Sequence, residues 1–412
     1  MNKLALSTAM LAAMMSLGGC YKQKVKKPGS TPPVAVVTPA PSPSPAPVPA
    51  PTPTPTPAPP PAGTPVTASP DGDGIRQLAS IPSNFSMDGM VHNVPPSGSA
   101  DPDTVGAFRF ICRASHLAYD DPIVFPGRKG ASHLHMFFGN TEADADSTYE
   151  SLRTTGDSTC NNKLNRSAYW TPALMNGAGK VVLPDAIAIY YKRFPAPSAE
   201  CQTGAKCIAL PRGLRYVFGR TMQGQVKGGG VHFRCDGGTS SAHFGVLAEA
   251  AAICPVGATL TASVTAPECW DGVNLDSENH RSHMAYSKSG AGGNPCPATH
   301  PYRIPTFTIS LLYKVDETLD RSGDLSTSRQ TWHFASDRMP GMTPQIAGST
   351  FHADWFGAWD DDILKEWTDN CIDKKLSCAS GVLGSGRRIT DAEANRVSMK
   401  GRLAEIPPKP ST

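Results

Sequence analysis

Phe307-Thr308-Ile309-Ser310-Leu311 alternates apolar and polar side chains, and this stretch sets the pattern for much of the chain. Successive side chains of an extended strand point to opposite faces, so this alternation is typical of a strand with one buried face. The same period of two recurs at residues 108–112, 214–218, 231–235 and 260–264. Residues 186–191 are more uniformly apolar and predict a more fully buried strand.

Helical patterns are few. Residues 141–153 are one candidate, and residues 360–371 are the better one. In the second segment Ile363, Leu364, Trp367 and Cys371 share a face, and three aspartates stand at the positive N-terminal end. Many short strands joined by long Gly/Pro loops predict a mainly β fold, a β-sandwich or jelly-roll-like body with long disulfide-braced loops and a few peripheral helices. We expect one domain over residues 80–378 and a C-terminal tail over residues 379–412, with a short helix at residues 390–399.

Composition divides the chain before that domain begins. Of the 40 prolines among 412 residues, 18 lie between Pro28 and Pro70. Residues 1–70 also carry five lysines and no acidic residue, so the rest of the chain is near neutral, with 33 Lys and Arg against 35 Asp and Glu. Such a body lacks the basic field that nucleic-acid binding requires.

The N-terminus is typical of an export signal that ends in a lipid attachment site. A basic start and a short apolar run precede Leu17-Gly18-Gly19-Cys20, which resembles a bacterial lipobox. We therefore expect a signal peptide over residues 1–19 and a lipidated Cys20 at the start of a basic segment, residues 20–27, that binds the membrane. Tyr21, rather than an aspartate, follows the cysteine and favours the outer membrane if the envelope is Gram-negative. The alternative is an ordinary signal peptide with an accidental cysteine.

Residues 28–70 form a Pro/Ala/Thr/Ser tract that predicts a disordered, extended linker. Polyproline II rises about 3.1 Å per residue, so this tract can hold the body roughly 130 Å from the membrane. We interpret it as a semi-rigid stalk. A docking ligand for a Pro-binding module is the alternative.

Ten cysteines follow Cys20, and an even number in an exported chain predicts disulfides rather than redox catalysis. No CxxC motif occurs. Spacing cannot determine connectivity, so we pair neighbours along the chain: Cys112 with Cys160, Cys201 with Cys207, Cys235 with Cys254, Cys269 with Cys296 and Cys371 with Cys378.

Histidine placement is the most informative functional feature. His133 and His135 are two apart on a predicted strand, so they share a face. His280 and His283 are three apart, and His352 lies two residues before Asp354. Imidazole nitrogens bind divalent metals, so these five histidines predict a metal site, with zinc, copper and manganese equally compatible. The alternative for each motif is a structural histidine that bonds to loops or buried backbone.

Acidic and aromatic residues provide further candidates. Asp276 and Asp354 are candidate catalytic groups, as metal ligand or general base, although aspartates near Gly and Pro commonly cap turns. Other acids considered are Asp120, Asp121, Asp271 and Asp360. Two interpretations, a sugar-binding platform and core packing, are open for seven aromatic residues: Tyr169, Trp170, Tyr190, Tyr191, Trp270, Trp355 and Trp359. Alternation places His232 outward beside Arg234, which favours a solvated side chain.

Several longer motifs share one known pattern. They include Asp121-Pro122-Ile123-Val124, Ser132-His133-Leu134-His135, Tyr169-Trp170-Thr171-Pro172, the block from Cys269-Trp270-Asp271-Gly272 to Met284-Ala285-Tyr286, His300-Pro301 and His352-Ala353-Asp354-Trp355. Together they resemble the extracellular domain-of-unknown-function family numbered nineteen-ninety-six, over about residues 108–371. The resemblance implies a secreted domain and no particular reaction. Its motif positions include the five histidines above and His300.

Two functional hypotheses follow. The first is an extracytoplasmic, metal-dependent enzyme that acts on a wall or extracellular polysaccharide. The second is a non-catalytic carbohydrate-binding or adhesion module whose histidines are structural. The chain contains no GxSxG, P-loop or dinucleotide fingerprint, which disfavours a classical serine hydrolase and nucleotide chemistry.

Overall fold

Strands make up most of the regular structure in the computed structural model, which describes residues 66–68, 74–84, 89–95, 99–100, 105–161, 163–288, 295–327, 329–389 and 398–410. The predicted signal peptide (1–19), the lipidated segment (20–27, with Cys20) and most of the linker (28–70) lie outside the described residues. Among the described helices, none has both the length and the apolar character needed to cross a membrane.

The strands of the described residues follow one another along the chain as β1 (Val66–Ala68), β2 (Arg76–Leu78), β3 (Val91–Asn93), β4 (Ser99–Ala100), β5 (Gly106–Cys112), β6 (His116–Ala118), β7 (His135–Gly139), β8 (Ala168–Pro172), β9 (Leu174–Met175), β10 (Lys180–Val182), β11 (Ala186–Arg193), β12 (Lys206–Cys207), β13 (Arg215–Gly219), β14 (Val231–Asp236), β15 (Thr259–Thr265), β16 (Cys269–Trp270), β17 (Met284–Ala285), β18 (Tyr302–Arg303), β19 (Thr306–Lys314), β20 (His333–Phe334), β21 (His352–Phe356), β22 (Leu376–Cys378), β23 (Arg387–Ile389) and β24 (Leu403–Glu405). The helices are α1 (Tyr149–Thr154), α2 (Ala199–Gln202), α3 (Leu247–Ala252) and α4 (Asp361–Trp367), with a 3₁₀ helix at Ala335–Arg338 and a π-helix at Thr368–Ile372.

Two larger sheets form the centre of the fold. One has seven strands in the order β14-β15-β19-β11-β5-β22-β4, and its middle strands pair antiparallel. The other has five strands in the order β13-β21-β8-β7-β6, all antiparallel. The described residues also form smaller sheets of two to four strands. The alternating segments predicted from the sequence all lie in these two sheets, so the predicted mainly β class is confirmed.

The two larger sheets contact each other through aromatic side chains. Phe307 of β19 is fully buried. Its ring centroid lies 4.9 to 6.4 Å from those of five neighbours: Tyr169, Tyr191, Tyr216, Phe218 and Trp355. Tyr191 belongs to the seven-stranded sheet and the other four to the five-stranded sheet. The hydroxyls of Tyr169 and Tyr191 also share a hydrogen bond of 2.8 Å across the interface. The body is therefore sandwich-like, with an aromatic core between the sheets.

One predicted helix is shorter than expected. The structure limits the candidate at residues 141–153 to α1, which begins after the Thr148 N-cap. Upstream, side chains bond to nearby backbone instead: Ser147 Oγ accepts from the Asp144 N–H, and Asp144 accepts from the Asp146 N–H. Such local bonds compete with helical ones, so this segment forms turns.

The better helix candidate, residues 360–371, forms α4 followed by the π-helix. Asp360 is its N-cap and accepts from the Ile363 N–H. Ile363, Leu364 and Trp367 are buried, as the helical spacing predicts. The Trp367 ring stacks on Phe108 with centroids 5.2 Å apart, which joins the helix to the seven-stranded sheet.

The five disulfides that form are the five pairs proposed from proximity. Each closes a loop of between 6 and 48 residues. Cys112–Cys160 links β5 to the segment before β8, and Cys371–Cys378 links the π-helix to β22. The prediction of loops braced by disulfides is confirmed.

The segments at both ends of the described body pair with it. β1 lies within the residues assigned to the linker and pairs with β2. β24, in the predicted tail, pairs with β10, and Lys409 donates to the Ser132 carbonyl at 3.1 Å. The helix expected at residues 390–399 lies almost wholly outside the described residues. Lys409 therefore lies beside the loop that carries His133.

Phe307→Ala tests the aromatic core. We expect it to lower the free energy of unfolding by about 3–5 kcal/mol, because it removes a fully buried ring that contacts both sheets. Thr308→Ala is the matched control: Thr308 faces outward and shares a hydrogen bond with Thr265, so its loss should cost about 1 kcal/mol. Denaturant unfolding measures both. Equal effects of the two substitutions would contradict this packing.

Candidate metal centre

The five-stranded sheet presents different chemistry on its two faces. Tyr169 and Trp355 point into the aromatic core. Alternation then directs His352 and Asp354 of β21 to the opposite face, together with His135 of β7. That second face is also buried, because His135, His352 and Asp354 are 0%, 4% and 1% exposed. The sheet therefore places polar, ionisable side chains in an environment that water scarcely reaches.

Three histidines meet on this face. His133 lies two residues before His135, and their ring centroids are 4.2 Å apart. The ring of His352 lies 5.2 Å from that of His133 and 6.0 Å from that of His135. One nitrogen from each residue lies within 4.8 Å of the other two, an arrangement that can hold a metal ion. We call His133, His135 and His352 the histidine triad.

Hydrogen bonds at the far side of two rings fix which nitrogen is free. His135 Nδ1 donates to the Asp120 carbonyl at 2.9 Å, and His352 Nδ1 donates to the Thr350 carbonyl at 2.8 Å. A carbonyl only accepts, so Nδ1 carries the proton and Nε2 keeps its lone pair. The Nε2 atoms of His133 and His135 are buried and have no hydrogen-bond partner among the described residues. Metal-binding histidines are commonly oriented by such backbone bonds.

The triad is neutral over the ordinary pH range. Burial lowers the pKa of His135 to about 4 and that of His352 to about 3. Burial and the neighbouring imidazoles hold the pKa of His133 well below its usual value. A metal can bind only an unprotonated imidazole, so the environment keeps all three side chains in the binding form.

Two buried carboxyl groups lie beside the triad. Asp354 Oδ2 is 3.8 Å from His352 Nε2, and neither oxygen of Asp354 has a hydrogen-bond partner among the described residues. Burial, reinforced by the charge of Asp121, raises the pKa of Asp354 well above its ordinary value. Burial also raises the pKa of Asp121 to about 6, although the Ile123 and Val124 N–H groups donate to its Oδ1.

His280 and His283 do not join the triad. Both nitrogens of His283 are used, because Nδ1 bonds to Ser277 Oγ at 2.8 Å and Nε2 to the Arg215 carbonyl at 3.0 Å. His283 is therefore a structural histidine that fixes its loop to β13. His280 Nδ1 instead bonds to Asp276 Oδ1 at 2.9 Å. The structure thus separates the five predicted ligands into a triad, a structural residue and a hydrogen-bonded His–Asp pair.

Asp276 is held by charge partners rather than by a metal site. Its Oδ2 accepts from Arg215 Nε at 3.1 Å. Burial alone would raise the pKa of Asp276, but the His280 hydrogen bond and the Arg215 guanidinium lower it below its ordinary value. Asp276 is therefore ionised at neutral pH.

Comparison with known families decides the identity of this body. The family model described as Domain of unknown function (DUF1996) matches residues 121–359, more than half of the chain. The chain belongs to the DUF1996 family. The resemblance inferred from the motifs is confirmed. The matched range of the DUF1996 domain starts at Asp121 and contains the histidine triad, Asp354 and the His280 loop. No curated protein and no solved structure matches the chain.

Other histidines of the DUF1996 domain have local partners. His232 is half-buried rather than solvated, since its ring stacks on His243 with centroids 4.1 Å apart. The alternation of side chains along β14 correctly predicted the face on which His232 lies, but it could not predict that His243 stacks on it. His300 Nε2 bonds to the Ser282 carbonyl. Before the matched range, His116 bonds to Ser115 and to the Ala143 carbonyl.

Core packing accounts for nearly all the aromatic residues considered as sugar platforms. Buried members are Tyr169, Trp170, Tyr191, Trp270, Trp355 and Trp359. Tyr190 alone among the seven candidates is half-buried, and its ring lies under Arg109 and Lys192. The buried members cannot stack on a sugar in this fold.

His352→Asn tests whether burial keeps the triad neutral. In the unfolded metal-free chain this histidine gains a proton below about pH 6.5, whereas the folded chain leaves it neutral down to about pH 3. The unfolded state then binds more protons, so stability falls as pH falls. When the pH is lowered from 7.5 to 5.0 with a chelator present, the free energy of unfolding should fall by about 2 kcal/mol more in wild type than in the variant. Urea unfolding at each pH measures this difference. If the free energy of unfolding falls equally with pH in wild type and variant, burial does not keep His352 neutral.

Proposed function

We propose that this DUF1996 domain is a metal-dependent enzyme that cleaves a wall or extracellular polysaccharide. The observation that carries the proposal is the histidine triad, with two buried Nε2 atoms that lack any partner among the described residues. An unpaired polar atom in a dry environment is costly, and a bound cation would remove that cost. By contrast, His283 uses both of its nitrogens in hydrogen bonds.

Zinc or copper fits the triad better than manganese. Imidazole nitrogen is a common ligand for zinc and copper, whereas manganese prefers carboxylate, carbonyl and water oxygens. Three protein ligands leave a coordination position open, which is typical of catalytic rather than structural zinc sites. His133 is the most exposed member of the triad, so substrate would approach from its side.

Asp354 would complete the site. In the metal-free chain burial disfavours its charged form and raises the pKa of Asp354 well above its ordinary value. A divalent cation at the triad would favour the carboxylate through its charge, because His352 Nε2 and Asp354 Oδ2 are only 3.8 Å apart. The ionised oxygen could then bind the metal or accept a hydrogen bond from a water or sugar hydroxyl beside it. The metal would supply Lewis acidity toward a sugar oxygen or a water molecule.

The substrate class is proposed from the place where the domain works. The lipobox and the Pro-rich tract support a lipid-anchored, stalk-mounted protein in the cell envelope. A near-neutral body is suited to an uncharged polymer rather than to nucleic acid. Polysaccharides are the abundant polymers at that location, so we propose one of them as the substrate.

Metal analysis of the full chain tests the first half of this proposal. The protein is produced with its disulfides, incubated with zinc, copper or manganese, and dialysed before elemental analysis. We expect about one equivalent of zinc or copper in wild type and a loss of at least tenfold in His133→Ala/His135→Ala. His243→Ala, which changes a histidine outside the triad, should retain the metal. A folded wild type that binds no metal would contradict the proposal.

Product release tests the second half. The metal-loaded chain is incubated with a panel of wall and extracellular polysaccharides, and new chain ends are measured. We expect release by wild type and none by the double variant or after chelation. Retention of a polysaccharide without products would instead support the carbohydrate-binding module.

A further inference from the structure

The Asp276–His280 pair is the second chemical feature of this region, and the triad does not explain it. Asp276 accepts a hydrogen bond from His280 Nδ1 at 2.9 Å and is itself held by Arg215. Because Asp276 is an acceptor, the His280 proton lies on Nδ1 and Nε2 carries the lone pair. His280 Nε2 makes no hydrogen bond within the described ranges. A carboxylate that orients a histidine in this way prepares Nε2 to accept a proton.

The pair lies at the edge of the face that carries the triad. The His280 carbonyl accepts from the Val217 N–H at 2.9 Å, and Val217 is the cross-strand partner of Asp354. Neighbouring strands are about 4.8 Å apart, so the His280 backbone lies about two strand spacings from the Asp354 backbone, on the far side of β13. The His280 side chain also lies close enough to Asp121 to lower the pKa of that buried carboxyl. The pair therefore lies near Asp121, the carboxyl group that interacts with Asp354 beside the triad.

The loop holds His280 in an unusual backbone conformation. His280 has φ of +56°, the left-handed region that non-glycine residues seldom occupy. Its N–H donates to the Ser277 carbonyl, and Asn279 Oδ1 accepts from the next two N–H groups. Arg281 donates to the carbonyls of Gly219 and Arg220, which fixes the loop to the end of β13. Left-handed residues held this firmly are concentrated at functional sites.

Accessibility distinguishes His280 from the triad. The side chains of His280 and Asp276 are 20% and 16% exposed, whereas His135 is fully buried. A group that exchanges protons with a bound polymer must be reachable, and His280 meets this condition. His283, in the same loop, is buried with both nitrogens occupied and cannot serve.

We propose that His280 is the proton-transferring residue of the enzyme, with Asp276 as its positioning residue. This inference rests on the proposed function. In hydrolysis His280 Nε2 removes a proton from the attacking water as the water oxygen bonds to the sugar carbon. The glycosidic carbon–oxygen bond breaks on the opposite side of that carbon, where the departing oxygen takes a proton from solvent water, and the His280 imidazolium then releases its proton to solvent. One water is consumed, two hydroxyl ends are produced, and His280 ends in its starting state. The negative charge of Asp276 stabilises the imidazolium that exists between the two transfers.

His280→Gly and Asp276→Asn test this assignment in the full, metal-loaded chain. Glycine suits the left-handed backbone, so the first variant should fold, and it leaves space for added imidazole. We expect His280→Gly to lower kcat by roughly 10²–10⁴-fold on a polysaccharide that wild type degrades, with KM and metal content unchanged. Added imidazole should restore part of the rate. Asp276→Asn should lower kcat and shift the pH profile of kcat. His283→Gln is the matched control, expected to lower stability while leaving the pH profile unchanged.

The outcomes separate the two proposals. If His280→Gly retains wild-type kcat, or if it loses the metal, His280 is not the proton-transferring residue, while the proposed function stands. The assignment is also overturned if two results occur together: imidazole does not restore the rate of His280→Gly, and Asp276→Asn leaves the pH profile of kcat unchanged. If wild type binds metal but degrades nothing in the panel, the proposed function fails and this inference fails with it.

Discussion

The alternation of side chains along the five-stranded sheet is the constraint on which the rest of the structure depends. One face of that sheet must fill the sandwich with Tyr169, Tyr216, Phe218 and Trp355, which surround Phe307. The residues between them are then forced to the other face. A shift of one residue in register would exchange the faces and place histidines in the aromatic core. The packing of the core and the assembly of the triad therefore have a common cause.

The second face shows why a metal fits the physical chemistry of the site. Burial makes charged histidines unfavourable and leaves lone pairs of neutral ones without partners. Burial also raises the pKa of Asp354 and so favours the protonated, neutral form of that carboxyl group. The metal-free site thus contains neutral imidazoles, two of which, His135 and His352, are oriented by hydrogen bonds to backbone carbonyls. A divalent cation would bind the unpaired imidazole nitrogens and, through its charge, favour the ionised form of Asp354. In return it would lose part of its own hydration shell.

Local pattern predicted much of the fold and part of the site. The hydrophobic pattern identified β5, β11, β14, β15 and β19 of the seven-stranded sheet and β13 of the other. The His-x-His spacing correctly put His133 and His135 side by side. It could not show that His352, more than two hundred residues later, joins them, because β21 meets β7 only through β8. Nor could spacing separate His280 from His283, since the distinction lies in hydrogen bonds to Asp276, Ser277 and distant Arg215. Non-local pairing and partner geometry are the information that a single sequence does not contain.

Anomalous diffraction shows directly whether the histidine triad binds a metal. Crystals of the full chain grown with zinc, and separately with copper, are measured above and below the absorption edge of each metal. We expect one strong anomalous peak about 2.0 to 2.1 Å from nitrogens of His133, His135 and His352. A folded chain that shows no peak at the triad with either metal, or whose triad nitrogens are all bonded to water or protein instead, would contradict this expectation.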